Sequence, residues 1–452
     1  MSYIGSLEKI LEESSEKFAP EALSVELPPE WIESALEQSG RHSQRRRALP
    51  AEATLWLVLL MALQRRDSYH TLLEQIFGSL WAQRQWGNKP PCTSAFTKAR
   101  DRLGVEPLRL VFEHSVERWA AATPGLTCQG RRVYALDSST FKVPDSEENR
   151  ACFGLPPASR GQAGYPQMRC AALVDARTRL VRLLKMGRYA EGELPLAQTL
   201  LPAIPQDVVV VMDRNFFAFD FLWDLHAEGR RDFLVRIKKN RRPNAAIPQN
   251  VQDQWLDYPV PQHYQKDRPD LPRVWPLRLI TYQPPGGTEP IRLLTTLRDP
   301  AITWQTLSEL YRERWEEETV FDEVKTHLCE SATVSRPNDL RSKTPERVCQ
   351  EIYGLFTLFN LLRKIMVSAT QKGTNVQNDP RRISFTAALK TIRKHTLKMM
   401  AQPVAKLALL YRQALEAIAR AQVPKRSERR NPREVKVKMS QYRVKHRLDP
   451  AA

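Results

Sequence analysis

Apolar positions in the first 125 residues recur at helical period. Residues 31–38, 51–65, 69–80 and 107–122 carry apolar side chains three and four apart, between breaks of Pro, Ser and charge, and predict helices. Residues 93–103 predict one more, capped by Thr93 or Ser94 and stopped by Gly104. From Arg131 the period shortens. Residues 132–137, 168–174 and 180–186 read as strands, the last two joined as a hairpin. Val208–Met212 is apolar throughout and β-branched at four positions, which predicts a strand buried on both faces. Residues 194–201 and 217–228 predict helices, and 233–238 a further strand. Between 239 and 300 stand 11 of the 33 prolines, with two strand-like runs at 274–282 and 291–297. That stretch predicts a small β-rich insertion outside the central sheet. Helical patterns resume at 311–325, 351–366 and 385–400.

Charge changes the picture. Lys and Arg outnumber Asp and Glu by 69 to 51 across 452 residues, a net +18, which implies an anionic partner, most often nucleic acid. A membrane surface would also attract cations, but the longest apolar run, 56–63, is too short to span a bilayer, so no membrane partner is expected. No basic region followed by an apolar core opens the chain, so a cytoplasmic protein is expected. The six cysteines lack metal-site spacing and predict reduced, mostly buried thiols. Residues 423–450 carry ten Lys or Arg against three acids, the composition of a flexible phosphate-binding tail. Lys98, Arg100 and Arg102 would face DNA if the 93–103 helix were the reader of a helix-turn-helix; an ordinary basic helix in a small bundle fits equally well.

The candidate chemistry lies in carboxylates. On a straight helix Tyr311, Arg314, Glu318 and Lys325 fall within a stripe about 60° wide, beside an apolar stripe of Leu310, Phe321, Val324 and Leu328. A carboxylate there stands among two cations and a ring, though such spacing also occurs on solvated, salt-bridged helix faces. Asp137 ends the first predicted strand and Asp213 ends the most buried one. Ligands collect beyond strand ends in sheets covered by helices, so these two aspartates could share a divalent metal that Glu318 completes. Asp322 and Glu317 compete with Glu318 as third ligand, Asp322 more seriously because Glu317 falls in the apolar stripe.

This ordered set resembles the bacterial insertion-sequence transposases with an Asp-Asp-Glu triad, in the insertion-element-four-like group marked by Tyr-x2-Arg-x3-Glu-x6-Lys. Tyr311, Arg314, Glu318 and Lys325 match that signature at every spacing, and Asp213-Arg-Asn-Phe216 matches the second motif. Asp137-Ser-Ser departs from the first motif, which usually has Gly after the aspartate. Pro144-Asp-Ser-Glu-Glu-Asn149, Ile383-Ser-Phe-Thr386 and the region from Leu27 to Gly104 extend the similarity over roughly residues 25–400. The resemblance implies an α/β fold: a ribonuclease-H-like catalytic core at 126–400 with the β-rich insertion at 239–300, an all-α DNA-binding domain at 1–125, and a C-terminal helix and basic tail at 401–452. It implies DNA cleavage at element ends and joining to target DNA, with two Mg²⁺ ions (Mn²⁺ able to substitute) held by Asp137, Asp213 and Glu318. By the same similarity Tyr311, Arg314, Lys325 and Arg214 would contact DNA, and the partners would be the terminal inverted repeats, target DNA and a second copy in a homodimer on DNA, at the bacterial nucleoid. A nuclease of the same fold without strand transfer, or a non-catalytic DNA-binding protein, are the rival readings.

Overall fold

The computed structural model describes residues 20–423, except 46, 80–81, 83–84, 158–162, 228, 238–252, 285–289, 330–339, 373–378, 401 and 403; the basic tail lies outside the described residues. After a single turn at Glu21–Ser24 come the longer helices α1 (Pro29–Gln38), α2 (Ala51–Leu63), α3 (Tyr69–Phe77), α4 (Thr93–Leu103) and α5 (Glu106–Ala121). The α4 helix begins after Cys92, which gives no side-chain cap, rather than after Thr93 or Ser94. The α2 helix is apolar all round and buried from Ala53 to Leu63, as a central helix must be.

A single sheet follows: β1 (Thr127–Cys128), β2 (Arg131–Lys142), β3 (Gln167–Asp175), β4 (Val181–Arg188), β5 (Val208–Met212), β6 (Asp232–Arg236), β7 (Asp253–Pro259), β8 (Val274–Tyr282) and β9 (Ile291–Thr295). Its order is β4-β3-β2-β5-β6-β9-β8-β7, with β1 beside β2. The strands β4, β2, β5 and β6 run in one direction, and β3, between β4 and β2, runs antiparallel to them. The β3–β4 turn closes because the Asp175 carboxylate accepts from the backbone N–H of Arg177 and Thr178 and Arg179 adopts a positive φ of 60°. In β5, Val208, Val210 and Met212 enter the apolar layer under α6 (Glu193–Gln198) and α7 (Phe219–Ala227), and Val209 and Val211 the layer on the opposite face. Five consecutive buried residues therefore do mark a strand covered on both sides.

Two expectations fail here. The Pro-rich stretch is part of the central sheet, because β9 pairs antiparallel with β6 and carries β8 and β7 outward. Its prolines fit for a local reason: Pro276 sits where β8 has only β7 as neighbour, and Pro259 ends the outermost strand. Asp137 does not end β2, which continues five residues further, paired with β3.

Four further helices, α8 (Trp304–Arg312), α9 (Trp315–Asp322), α10 (Pro345–Lys372) and α11 (Phe385–Met400), precede α12 (Val404–Arg420). Helix α10 is long and apolar enough to cross a membrane, yet 94% of its most apolar window is buried inside the protein. It is the axis of a core shared by α2, α5, α11, α12 and one face of β3 and β4. Gly354 lets it approach α2: a Cβ there would meet Val58 Cγ1 at 2.9 Å. Cys128, Cys170 and Cys329 are buried, Cys349 is half-buried, Cys92 and Cys152 are exposed, and all six are free thiols.

Buried charge ties the N-terminal helices to α10. Glu351 is fully buried and accepts from Arg65, from the backbone N–H of Arg341 and Ser342, and from the Ser342 hydroxyl. Burial opposes its ionisation, but Arg65, Arg100 and these donors hold its carboxyl below the ordinary range. Removing one partner would strand the other charge. Glu351→Ala is expected to cost about 3–5 kcal/mol in urea unfolding, and Arg65→Met with Glu351→Leu clearly less; equal losses would mean that the pair contributes nothing beyond packing.

Candidate active site

Pairing between β2 and β5 ends at Leu136 and Met212, so the next residues on these parallel strands, Asp137 and Asp213, come level at the same edge. Each carboxylate is held by a nearby backbone donor, Asp137 Oδ1 by Ser138 N–H and Asp213 Oδ1 by Asn215 N–H, both at 2.7 Å. Asp213 thereby caps a tight turn, Arg214–Phe216, whose Phe216 is buried in the layer beneath.

The Tyr311–Lys325 stretch is not one straight helix. Helix α8 ends at Arg312, α9 begins at Trp315, and from Glu323 to Leu328 the chain takes π-helical geometry. Arg314 and Lys325 nonetheless both reach β2, and Glu318 pairs with Arg314. Arg314, in the turn between helices, lies 2.9 Å from Glu318 Oε1 and 3.9 Å from Asp137 Oδ2. Lys325, on the π segment, donates to the Ser139 hydroxyl, with Nζ 5.2 Å from the Phe141 ring centroid. Asp137, Ser139 and Phe141 alternate along the strand and so share a face.

Electrostatics explain this packing. Burial pushes the Asp137 carboxyl up to about 7; Asp213 and Glu193 add to the rise, while Ser138 N–H and Arg314 oppose it. Burial works against the Arg314 charge, but Tyr311, Glu318 and Asp137 around it keep its pKa above the usual value. Its Nε is buried with no hydrogen-bond partner. Among the described residues no three His, Cys, Asp or Glu side chains stand close enough to ligate one ion. The two aspartates are neighbours, and Glu318 is one guanidinium away. Oxygen donors with a raised carboxyl pKa are a donor set that a hard divalent cation suits, with Arg314 where positive charge is wanted.

Other expected residues fall differently. Tyr311 is 5% exposed, packed in the apolar layer with Leu307 and Leu310, and the Arg314 guanidinium carbon lies 5.8 Å from its ring centroid. Its ring supports Arg314 rather than facing DNA, because the helix turns its apolar edge there. Arg100 is 1% exposed and donates to Gln350, Tyr69, Ser342 and the Arg347 carbonyl, so it fastens α4 to α10 and does not face DNA. Lys98, Arg102 and Arg214 are exposed. Asp322 is exposed and accepts from Thr326, and the side chain of Glu317 lies outside the described residues.

The sequence reading missed the brace behind the aspartates. Arg169 donates to Glu193 at 3.1 Å and to the Ser138 hydroxyl at 3.4 Å, and Asn215 Nδ2 donates to the other Glu193 oxygen at 3.4 Å. One pair of charges thus joins the residue after Asp137 to the turn that Asp213 caps. The available signal was Arg169 itself, the lone charge before the terminal aspartate of a strand that is apolar from Cys170 to Val174. A second network anchors the π segment: buried Glu323 takes Arg179 at 3.2 Å from the β3–β4 turn and Arg363 from α10.

Residues 129–361 match the transposase DDE domain family, and residues 19–113 match the insertion element 4 transposase N-terminal family. The chain belongs to the DDE transposases of the insertion element 4 group, enzymes of DNA phosphoryl transfer that depend on divalent metal. It is similar to "Transposase InsG for insertion sequence element IS4" of Escherichia coli strain K12, at 27% identity over 420 residues and 92% of each chain. InsZ of the same strain is 29% identical over 217 residues, 47% of this chain and 70% of its own. A piggyBac transposase synaptic complex with hairpin DNA aligns over 90% of this chain and 86% of that one at 12% identity, with a TM-score of 0.43.

The raised Asp137 pKa has a testable sign. Between the unfolded value of 3.8 and about 7 the folded state binds more protons, so this group's contribution to stability falls as pH rises through that window and is flat above it. In EDTA, Asp137→Asn should gain stability relative to wild type by on the order of 2 kcal/mol between pH 5 and pH 8. In a Glu193→Gln background the window should move to lower pH. A pH-independent difference in unfolding free energy would mean that Asp137 ionises as an ordinary carboxyl.

Proposed function

We propose that this transposase nicks DNA at the ends of its insertion element and joins the freed 3′ hydroxyls to target DNA in cut-and-paste transposition, acting as a homodimer on double-stranded terminal repeats in the bacterial cytoplasm. The observation that supports it best is Asp137 and Asp213 level at adjoining parallel strands with Glu318 beyond Arg314. The sheet order β4-β3-β2-β5-β6, with only β3 antiparallel to the rest of that set, supports reading residues 126–400 as a ribonuclease-H-like core, with 239–300 an insertion that lengthens its sheet. Residues 1–125 are then the helical DNA-binding part and 401–452 a helix and tail.

Asp137, Asp213 and Glu318 would hold two Mg²⁺ ions. Bound there, such ions would supply Lewis-acid activation of the attacking oxygen and charge stabilisation of the leaving one. The protein's own groups supply the rest. Ser138 and Asn215 backbone N–H groups and the Arg169–Glu193 brace fix the two aspartates. Arg314 neutralises the carboxylates until metal and DNA arrive, then turns its guanidinium to a phosphate, a geometry its planar fork suits. Lys325 serves the next phosphate. Lys98, Arg102 and Arg214, all exposed, take the backbone elsewhere.

Asp137→Asn, Asp213→Asn and Glu318→Gln are each expected to lower nicking of a labelled element end by on the order of a hundredfold or more, with DNA binding kept or strengthened. Full metal-dependent cleavage by any one of them would sink the triad assignment. Strand transfer by wild type separates a transposase from a nuclease of the same fold: joined products are expected, and hydrolysis alone would favour the nuclease.

A further inference from the structure

The loop between α1 and α2 forms a hollow of about 470 Å³ against α2 and α4, lined by Arg41, His42, Arg45, Arg47 and Arg102. The loop backbone is pinned from several sides. Ala51 N–H donates to Ser43 Oγ at 2.7 Å, Gln85 to the Arg47 carbonyl at 2.6 Å, and the Trp86 indole to the Ala48 carbonyl at 2.7 Å. Arg41 donates to the Arg102 carbonyl at 3.1 Å and Arg102 to the Leu49 carbonyl at 3.4 Å, so two of the guanidiniums are themselves oriented by backbone.

What distinguishes this hollow is missing counter-charge. Arg65, Arg109, Arg131, Arg268, Arg278 and Arg347 elsewhere all pair with carboxylates. Among the described residues, none of the four arginines around the hollow makes an ion pair. The nearby Glu52 is taken by His42 at 3.2 Å, and Asp101 by Arg347. Burial and then the Arg47 charge lower the Arg102 pKa, and Asp101, itself engaged by Arg347, only partly opposes them. Converging guanidiniums on a pinned backbone suit phosphate oxygens, which the planar fork binds two at a time.

We propose that this hollow seats the phosphate backbone of duplex DNA, on elements separate from the carboxylate site. The inference rests on the DNA-cleaving reading above. Each arginine that neutralises a phosphate should contribute close to one unit to the salt dependence of binding through counterion release.

The test uses the full chain in EDTA and the fluorescence anisotropy of a labelled duplex of arbitrary sequence, titrated across KCl concentrations. Arg45→Gln with Arg47→Gln should lower the slope of log affinity against log salt by about 2, and Arg102→Gln by about 1, at unchanged melting temperature. Arg412→Gln with Arg420→Gln, on α12, should leave it unchanged. Wild-type slopes in both sets of hollow variants, from protein whose wild type nicks element ends, would overturn this seat and leave the functional reading standing. A wild type that neither binds nor nicks DNA would instead remove the functional reading, and the seat with it. Inorganic phosphate supplies the remaining arm: a thermal shift with phosphate that the double variant abolishes, beside an unchanged DNA slope, would make the hollow a small-anion site and overturn the proposal.

Discussion

The site depends on where two parallel strands stop pairing. Because β5 ends at Met212 while β2 continues, Asp137 and Asp213 emerge side by side at the last rung, with apolar layers on both faces of the sheet below. Placing two carboxylates so close at a half-buried edge is unfavourable in isolation, and the fold responds with charge. Arg314 comes down from the turn between two helices to lie between Asp137 and Glu318, while burial and then Asp213 still hold the Asp137 carboxyl above its usual range. Carboxylates left short of cations offer the hard oxygen donors that a divalent metal suits.

The rest of the molecule holds that edge still. The Arg169–Glu193 brace fixes the aspartate turns from one face, and Glu323 draws the π segment toward both the β3–β4 turn and the central helix from the other. Further out, Glu351 and Arg100 join the first helices to α10 through buried, fully engaged charges. The N-terminal helices and the catalytic sheet therefore meet on one shared core. Packing, rather than a swinging linker, holds the one relative to the other.

Much of this could be read from the chain because its signals are local. A run of valines with no polar interruption leaves a strand no exposed face, and β5 spans the five residues that pattern named. Helix α11 follows its apolar period over its whole length. The failures have a common cause in partners distant in sequence. Nothing near Arg100 shows that Gln350 and Ser342 will bury it, and nothing near Glu193 shows that Arg169 and Asn215 will converge on it. Prolines argued against sheet membership for residues 253–295, but which edge of a strand lacks a neighbour is decided by topology alone. Helical-wheel angles brought the signature residues together yet assumed a continuous helix, which α8 and α9 are not.

The π segment at Glu323–Leu328 carries a consequence for how this region tolerates change in length. A π turn takes up one more residue than an α turn over the same rise, so it behaves as an insertion absorbed without a loop. It lets Lys325 hang over Ser139 while Val324 and Leu328 stay in the core. Regular α geometry over the same residues would carry the later side chains onward by roughly one residue's rotation, setting the lysine and the apolar contacts out of step. The spacing between Glu318 and Lys325 is thus a mechanical tolerance, met by a local unwinding that a one-residue deletion would erase.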